Sequence, residues 1–354
     1  MITRKRTSAH AYLILVGVLA ILAILPWLGI LSPAWYRTLI AAQFLAIFAM
    51  SWDLLGGCTG QVNLGQALFI GGAAYASGLI GLYLHWPPLF AILAGALAAM
   101  LIGLLVVVPA IRLRGPYLAL VTLIALIAAL KLVLIYSDVT GGLAGFSFKP
   151  NDFFPPLGYS VPLKQALSIS YYYALGLLAL LGFAILWITR SRWGAIFEGI
   201  REDEMALAAV GVNPAKFKIL AFLISSGAAG LAGAAYVHLP ILPVVQPAGA
   251  GGVLSLDLSL LVIVASVVGG LGTIVGPLIG AFVLKLGEFG LNQLPSQFDD
   301  LKNIEGTGWI TLVFLLLLIF WVRFMPRGLV PTLFGNAIRG ANLTLLGSEK
   351  NRPN

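Results

Sequence analysis

The chain has 354 residues, 60% of them apolar and 10% charged, with a mean hydropathy of +1.00, more apolar surface than a soluble core can hide. It reads as an all-α, polytopic integral membrane protein, because apolar runs of about 20 residues recur while the strict alternation of a barrel does not. The net charge of +8 does not mark a nucleic-acid binder, since the basic residues sit at the ends of apolar runs, where membrane topology accounts for them.

Arg4, Lys5 and Arg6 precede an apolar run that predicts a first span over 11–31. It reads as retained, since it continues through Pro26 without a small-residue cleavage site. A second span is expected over 38–56, closed by Gly56-Gly57. The stretch CTGQVNLGQALFIGGAAYASG follows, interleaving Thr59, Gln61, Asn63 and Gln66 with Gly60, Gly65, Gly71 and Gly72 as it enters a third span over 63–84. Amides inside a membrane need partners in other helices or in a water-filled path. Gly60, Gln61, Asn63, Gly65 and Gln66 are therefore equally candidates for helix packing and for lining a translocation path.

Spans four and five are expected over 89–110 and 116–136, divided by Arg112 and Arg114, with Lys131 snorkelling toward a surface. Residues 137–170, which include Thr140-Gly141-Gly142 and PNDFFPPLGY, read as a structured surface loop, and a sixth span is expected over 171–189. A long charged segment, 190–218, then separates it from the seventh, over 216–238. In that segment Asp203 is an expected N-cap, Glu204 to Val210 a short helix, and Gly211 its left-handed end, with Asn213-Pro214 starting a new helix. Charge and capping alone suit a solvated connection.

The seventh span carries SSGAAGLAGAAY, a face of small residues suited to close helix packing. After a Pro/Gly-rich stretch, an eighth span over 254–271 and a ninth over 273–290 meet at the corner Gly269-Gly270-Leu271-Gly272, and a tenth covers 308–323. With the N-terminus inside, ten spans place 15 Lys and Arg residues on the cytoplasmic side and five on the other, so both termini are expected in the cytoplasm.

There is no Gly-Lys pair for a Walker A loop and no HExxH or GxSxG element, so no catalytic residues, and no ATP hydrolysis by this chain, are expected. The single cysteine, Cys58, excludes an internal disulfide and a structural zinc site, and no cofactor is expected. Asp53, Lys131, Asp257, Lys285 and Glu288 are too few and too scattered for a proton or sodium relay. What remains are three polar-glycine breaks, at 56–66, 140–145 and 269–277, and interrupted helices are where transporters build their paths. Thr140, Gly141, Gly142, Gly269, Gly270 and Gly272 join the path candidates.

The blocks LLGGCTGQVNLGQALFIGGAAYASG, RLRGPYLALVTL with VTGG, SRWGAIFEGIREDEMALAAVGVNPAKFKILAF with GLAGAAY, and DLSLLVIVASVVGGLGTIVGPLIGA occur in this order over roughly 50–285. Together they resemble the LivM-type permeases of branched-chain amino acid ABC importers. The resemblance implies one transmembrane permease domain over 1–354 in a bacterial inner membrane, paired with a second, LivH-type permease. It also implies two cytoplasmic ATP-binding subunits and an extracytoplasmic solute-binding protein. The loop 190–218, which includes Glu198 and Arg201, becomes the coupling element, with Glu202 and Glu204 as charged contacts, Met205, Leu207 and Val210 as apolar ones, and Asp203 and Gly211 as its ends. Related systems carry urea, short amides and aromatic acids as well as branched-chain amino acids, so the implied cargo is that wider set. The rival expectation is a secondary carrier or channel that works alone, and dependence of transport on a partner ATPase separates the two.

Overall fold

The computed structural model of the protein describes residues 2–29, 31–110, 116–147, 162–239, 244–248, 252–297, 323–325 and 328–332. In chain order its helices are α1 (Ile2–Ile24), α2 (Pro33–Asp53), α3 (Gln66–Leu79), α4 (Pro88–Ala110), α5 (Pro116–Ile135) and α6 (Ser137–Thr140). They continue with α7 (Leu163–Arg190), α8 (Arg192–Glu202), α9 (Glu204–Ala209), α10 (Pro214–Val237), α11 (Leu256–Gly269) and α12 (Val275–Gln297). A two-residue antiparallel pair, β1 (Phe146–Ser147) and β2 (Val244–Val245), sets Phe146 opposite Val245 and Ser147 opposite Val244.

The bundle is organised around α2. Ser32 caps it by accepting the Trp35 N–H, and Pro33 stands at its first position. Its apolar residues are spread around the whole circumference, which suits an element with neighbours on every side. α7, α10, α11 and α12 pack against it, and every residue from Ala42 to Leu55 is buried. By contrast α4 and α5 turn Leu105 and Ile124 outward, apolar surface that suits hydrocarbon rather than water.

The small-residue face lies on α10, against α3 and α4. A Cβ on Gly233 would collide with the Ile70 carbonyl, and one on Gly230 with the Ala99 side chain. Because lipid tails are as apolar as leucine, helices in a membrane gain little by merely being oily, and this backbone approach supplies the dispersion contact instead.

Seven segments are long and apolar enough to cross a membrane: Ala11–Leu28, Pro33–Cys58, Gln66–Leu84, Pro88–Ala110, Tyr117–Ile135, Leu163–Arg190 and Pro214–Val237. They stand where the first seven spans are expected. α11, with 14 residues, and α12, with 23, occupy the places of the eighth and ninth, while the tenth lies almost wholly outside the described residues. Seven of the ten expected spans thus stand among the described residues at spanning length and apolarity.

Two boundaries differ from expectation. α7 begins at Leu163, so the end of the expected surface loop is helix. Its Ser168 and Ser170 hydroxyls donate to the carbonyls of Lys164 and Ala166, one turn back, which lets polar residues remain helical. Second, α2 does not stop at its glycines but widens into a π-turn, Leu54–Cys58, a form that recurs at functional interruptions of helices.

Candidate coupling junction and polar helix breaks

The chain leaves α7 at Ser191, whose hydroxyl donates to the Ile188 carbonyl at 2.6 Å and accepts the Trp193 N–H at 3.1 Å. Helix restarts there as α8, which sequence reasoning missed. Its signal was present: Phe197 and Ile200 are buried on one side, while Glu198 and Glu202 are exposed on the other.

Asp203 ends α8 and caps α9. Its carboxylate accepts the N–H groups of Met205 and Ala206 at 2.9 and 3.0 Å, the expected N-cap. α9 closes at Ala209 with Val210 as its cap, and Gly211 follows at a φ of 87°. Asn213 caps α10 and Pro214 is its first residue. Glu204 reaches Lys218 at 2.7 Å and ties α9 to the base of α10. Of the expected apolar contacts, Met205 and Val210 are 65% and 75% exposed, whereas Leu207 turns inward toward Gly199 of α8.

The same loop touches the helix breaks. Arg201, near the end of α8, donates through Nη1 to the Gly57 carbonyl at 2.5 Å. Asp53, fully buried at the end of α2, accepts the Gly272 N–H at 2.7 Å through Oδ1 and the Ile274 N–H at 3.0 Å through Oδ2. These bonds hold a corner of reversed backbone between α11 and α12, with φ of 121° at Gly270, 74° at Gly272 and 63° at Ile274. A β-branched residue at positive φ is strained, and Ile274 is kept there by the Asp53 bond and by complete burial. Space is as tight as conformation: a Cβ on Gly272 would lie 2.8 Å from Arg201 Nη1, and one on Gly57 would strike Asp53 Oδ1. Gly60, at a φ of 70°, gives room for the Arg201 stem, 3.1 Å from where its Cβ would be.

Beside this junction lies a network of buried amides and hydroxyls. Asn63 Nδ2 donates to Gln66 Oε1 at 2.8 Å, and Gln66 Nε2 donates to Ser51 Oγ at 3.0 Å. The Asn63 Oδ1 accepts the Gly65 N–H, and its carbonyl accepts the Trp52 indole at 2.6 Å. Thr122 of α5 and Ser259 of α11 accept the Leu64 and Ala67 N–H groups, which the break at 59–65 leaves without helical partners. Ser225 of α10 donates to the Ser51 carbonyl. The network as a whole thus touches five helices, α2, α3, α5, α10 and α11, while Asn63 and Gln66 themselves tie the break to α2. Gln61 differs, because its Nε2 is buried without a hydrogen-bond partner.

At the other end of the bundle, Thr140 Oγ1 donates to the Val133 and Tyr136 carbonyls at 2.6 and 2.9 Å, and Gly141 and Gly142 turn at φ of 75° and 58°. Gly145 then passes so close to the Val245 carbonyl that a Cβ would collide with it. Beyond α10, His238 Nε2 lies 2.7 Å from Ser77 Oγ.

The expected site residues therefore fall into three groups. Gly60, Gly269, Gly270 and Gly272 gather at the corner beneath Arg201; Gln61, Asn63, Gly65 and Gln66 lie beside it; Thr140, Gly141 and Gly142 lie apart, at the far end. Sequence reasoning missed Asp53 as the centre of the corner. The clue was an acid at the end of a span, which calls for a partner.

A multi-pass helical bundle with interrupted helices, joined at one end to a capped and exposed helical loop, has the form expected of a membrane transport protein. A family model described as "Branched-chain amino acid transport system / permease component" matches residues 35–323, and the chain belongs to this family. Two curated relatives are similar over 80% of this chain and 67% of their own length, each 27% identical: the "High-affinity branched-chain amino acid transport system permease protein LivM" of Escherichia coli (strain K12) and that of Salmonella typhimurium. No solved structure matches the chain. Membership makes it a non-catalytic membrane component of a transport system, a multi-pass protein of the inner membrane.

Proposed function

We propose that the protein is the transmembrane permease subunit of an ATP-driven importer that moves branched-chain amino acids, or related amides, urea or aromatic acids, into the cytoplasm by alternating access. Its partners in this reading are a second, LivH-type permease, two cytoplasmic ATP-binding subunits and an extracytoplasmic solute-binding protein. The observation that carries the reading is the α8–α9 loop. It is capped by Asp203 and pinned by Glu204 to Lys218, yet it turns Met205 and Val210 outward. A solvated connection gains nothing from large apolar side chains held in water, whereas a docking helix buries them in its partner.

The excess of Lys and Arg on this side supports a cytoplasmic position for this end and for both termini. Push on α9 passes to α10 through Lys218 and to α7 through α8, which would tilt both spans. Gly60, Gln61 and the Gly269–Gly272 corner are the proposed inner part of the path, and Thr140, Gly141 and Gly142 its outer rim. The test is reconstitution in proteoliposomes with all partners, after ligand screening of the binding protein with amino acids, amides and urea. Uptake should require ATP and both ATP-binding subunits; equal uptake by the permease alone would overturn the reading.

A further inference from the structure

Three segments far apart in sequence meet around Arg201. The π-turn after α2 offers the Gly57 carbonyl, the corner between α11 and α12 offers the space left by Gly272, and Gly60 clears the Arg201 stem. Below them the Asp53 carboxyl group holds the corner through Gly272 and Ile274, and a Cβ on Gly57 would strike Asp53. Each side of the contact is built to fit: one carbonyl released from the regular helical ladder by a π-turn, one glycine at positive φ, and one guanidinium with several fixed donors. Arg201 as a residue is solvent-exposed, while its Nη1 is held between the Gly57 carbonyl and Gly272.

We propose that Arg201 is the positioning residue that couples the loop to the helix breaks, so that α8, the π-turn and the 270–274 corner move as one body. This deepens the proposed function and rests on it. The physical ground is that movement of α8 alone would strip the Gly57 carbonyl of its donor in a half-buried site, which is costly. Moving the corner alone would draw Gly272 away from Asp53. Movement of all three together, with Asp53 carried at the adjoining end of α2, breaks none of these bonds. Through this contact, displacement of the cytoplasmic loop reaches the 270–274 corner as well as the π-turn, against which α7 and α10 also pack.

The experiment uses the complete reconstituted complex. Uptake per ATP hydrolysed is compared among the wild type, Arg201→Gln and Arg201→Lys. The Gln variant should retain its ATP-binding subunits and lose at least tenfold in uptake per ATP. The Lys variant, which can still donate to Gly57 but lacks the planar fork, should recover to within about threefold of wild type. In a Cys58→Ser background, spin labels on Glu198→Cys and Leu271→Cys report the second feature. Their line broadening should be the same without nucleotide and with trapped nucleotide, and should become nucleotide-dependent when Arg201→Gln is added. Wild-type uptake per ATP in Arg201→Gln, or line broadening that changes with nucleotide in the unaltered junction, would overturn the proposal; so would loss of the ATP-binding subunits from both Arg201 variants, which would make Arg201 a docking contact. The double variant Met205→Asp, Val210→Asp separates this from the reading beneath it. If it still binds and couples the ATP-binding subunits, the docking reading fails; if it loses them while Arg201→Gln stays fully coupled, the Arg201 proposal alone fails.

Discussion

The two ends of the bundle both contain glycines at positive φ and a tight approach of distant segments, yet they are built differently. At the Arg201 end, contact between segments runs through side chains: Asp53 to the corner, Arg201 to the π-turn, Glu204 to Lys218. At the far end it runs largely through backbone: the β1–β2 pair and the approach of Gly145 to the Val245 carbonyl. Side-chain ties can be remade in a second arrangement at little cost, while paired backbone must be fully re-satisfied wherever it moves. The difference teaches that the Arg201 end is suited to transmit movement, and the far end to resist it.

The largest effect is expected from Asp53→Ala. It leaves the buried Ile274 N–H and the half-buried Gly272 N–H without acceptors, at about 1–3 kcal/mol each, and releases a strained corner. Thermal unfolding in detergent should show a clear loss of stability, and assembled complex should fall with it. Next comes a matched pair, Gly145→Val and Gly211→Val, each placing a β-branched side chain at positive φ. Strain of about 1–3 kcal/mol applies to both, but Gly145 also faces a carbonyl whereas Gly211 has open space around it. The Gly145 variant should therefore be the less stable of the two, and the Gly211 variant the one that loses more uptake per ATP. The reverse pattern would break the comparison.

The smallest change is Asp203→Ala, which removes one cap at about 0.5–2 kcal/mol; it should weaken coupling less than Gly211→Val and leave the far end untouched.

Much of the fold was legible in sequence because spans and caps are local. Asp203, Gly211 and Asn213-Pro214 signal helix ends through their own backbone preferences, and the structure places each as expected. α8 was missed because its charged residues drew notice away from the apolar spacing of Phe197 and Ile200. The site was less legible because its bonds are long-range. Nothing near Asp53 in sequence indicates that residues 272 and 274 supply its partners, and Ile274 does not signal positive φ as a glycine would. Asn63 and Gln66 show the same limit: their types demanded partners, but only the structure identifies Ser51 and Trp52 as those partners, with Thr122, Ser225 and Ser259 completing the network.

In the proposed importer the loop end, not the far end, meets the cytoplasmic ATP-binding subunits. Two single-cysteine permeases in a Cys58→Ser background test it: Met205→Cys at the loop, and Leu143→Cys, exposed at the far end. Each is assembled with its partners in membrane vesicles and treated with a thiol-anchored photocrosslinker. The account predicts a permease–ATPase adduct from Met205→Cys and none from Leu143→Cys; an adduct from Leu143→Cys alone, or from neither position in a complex that still transports, would contradict it.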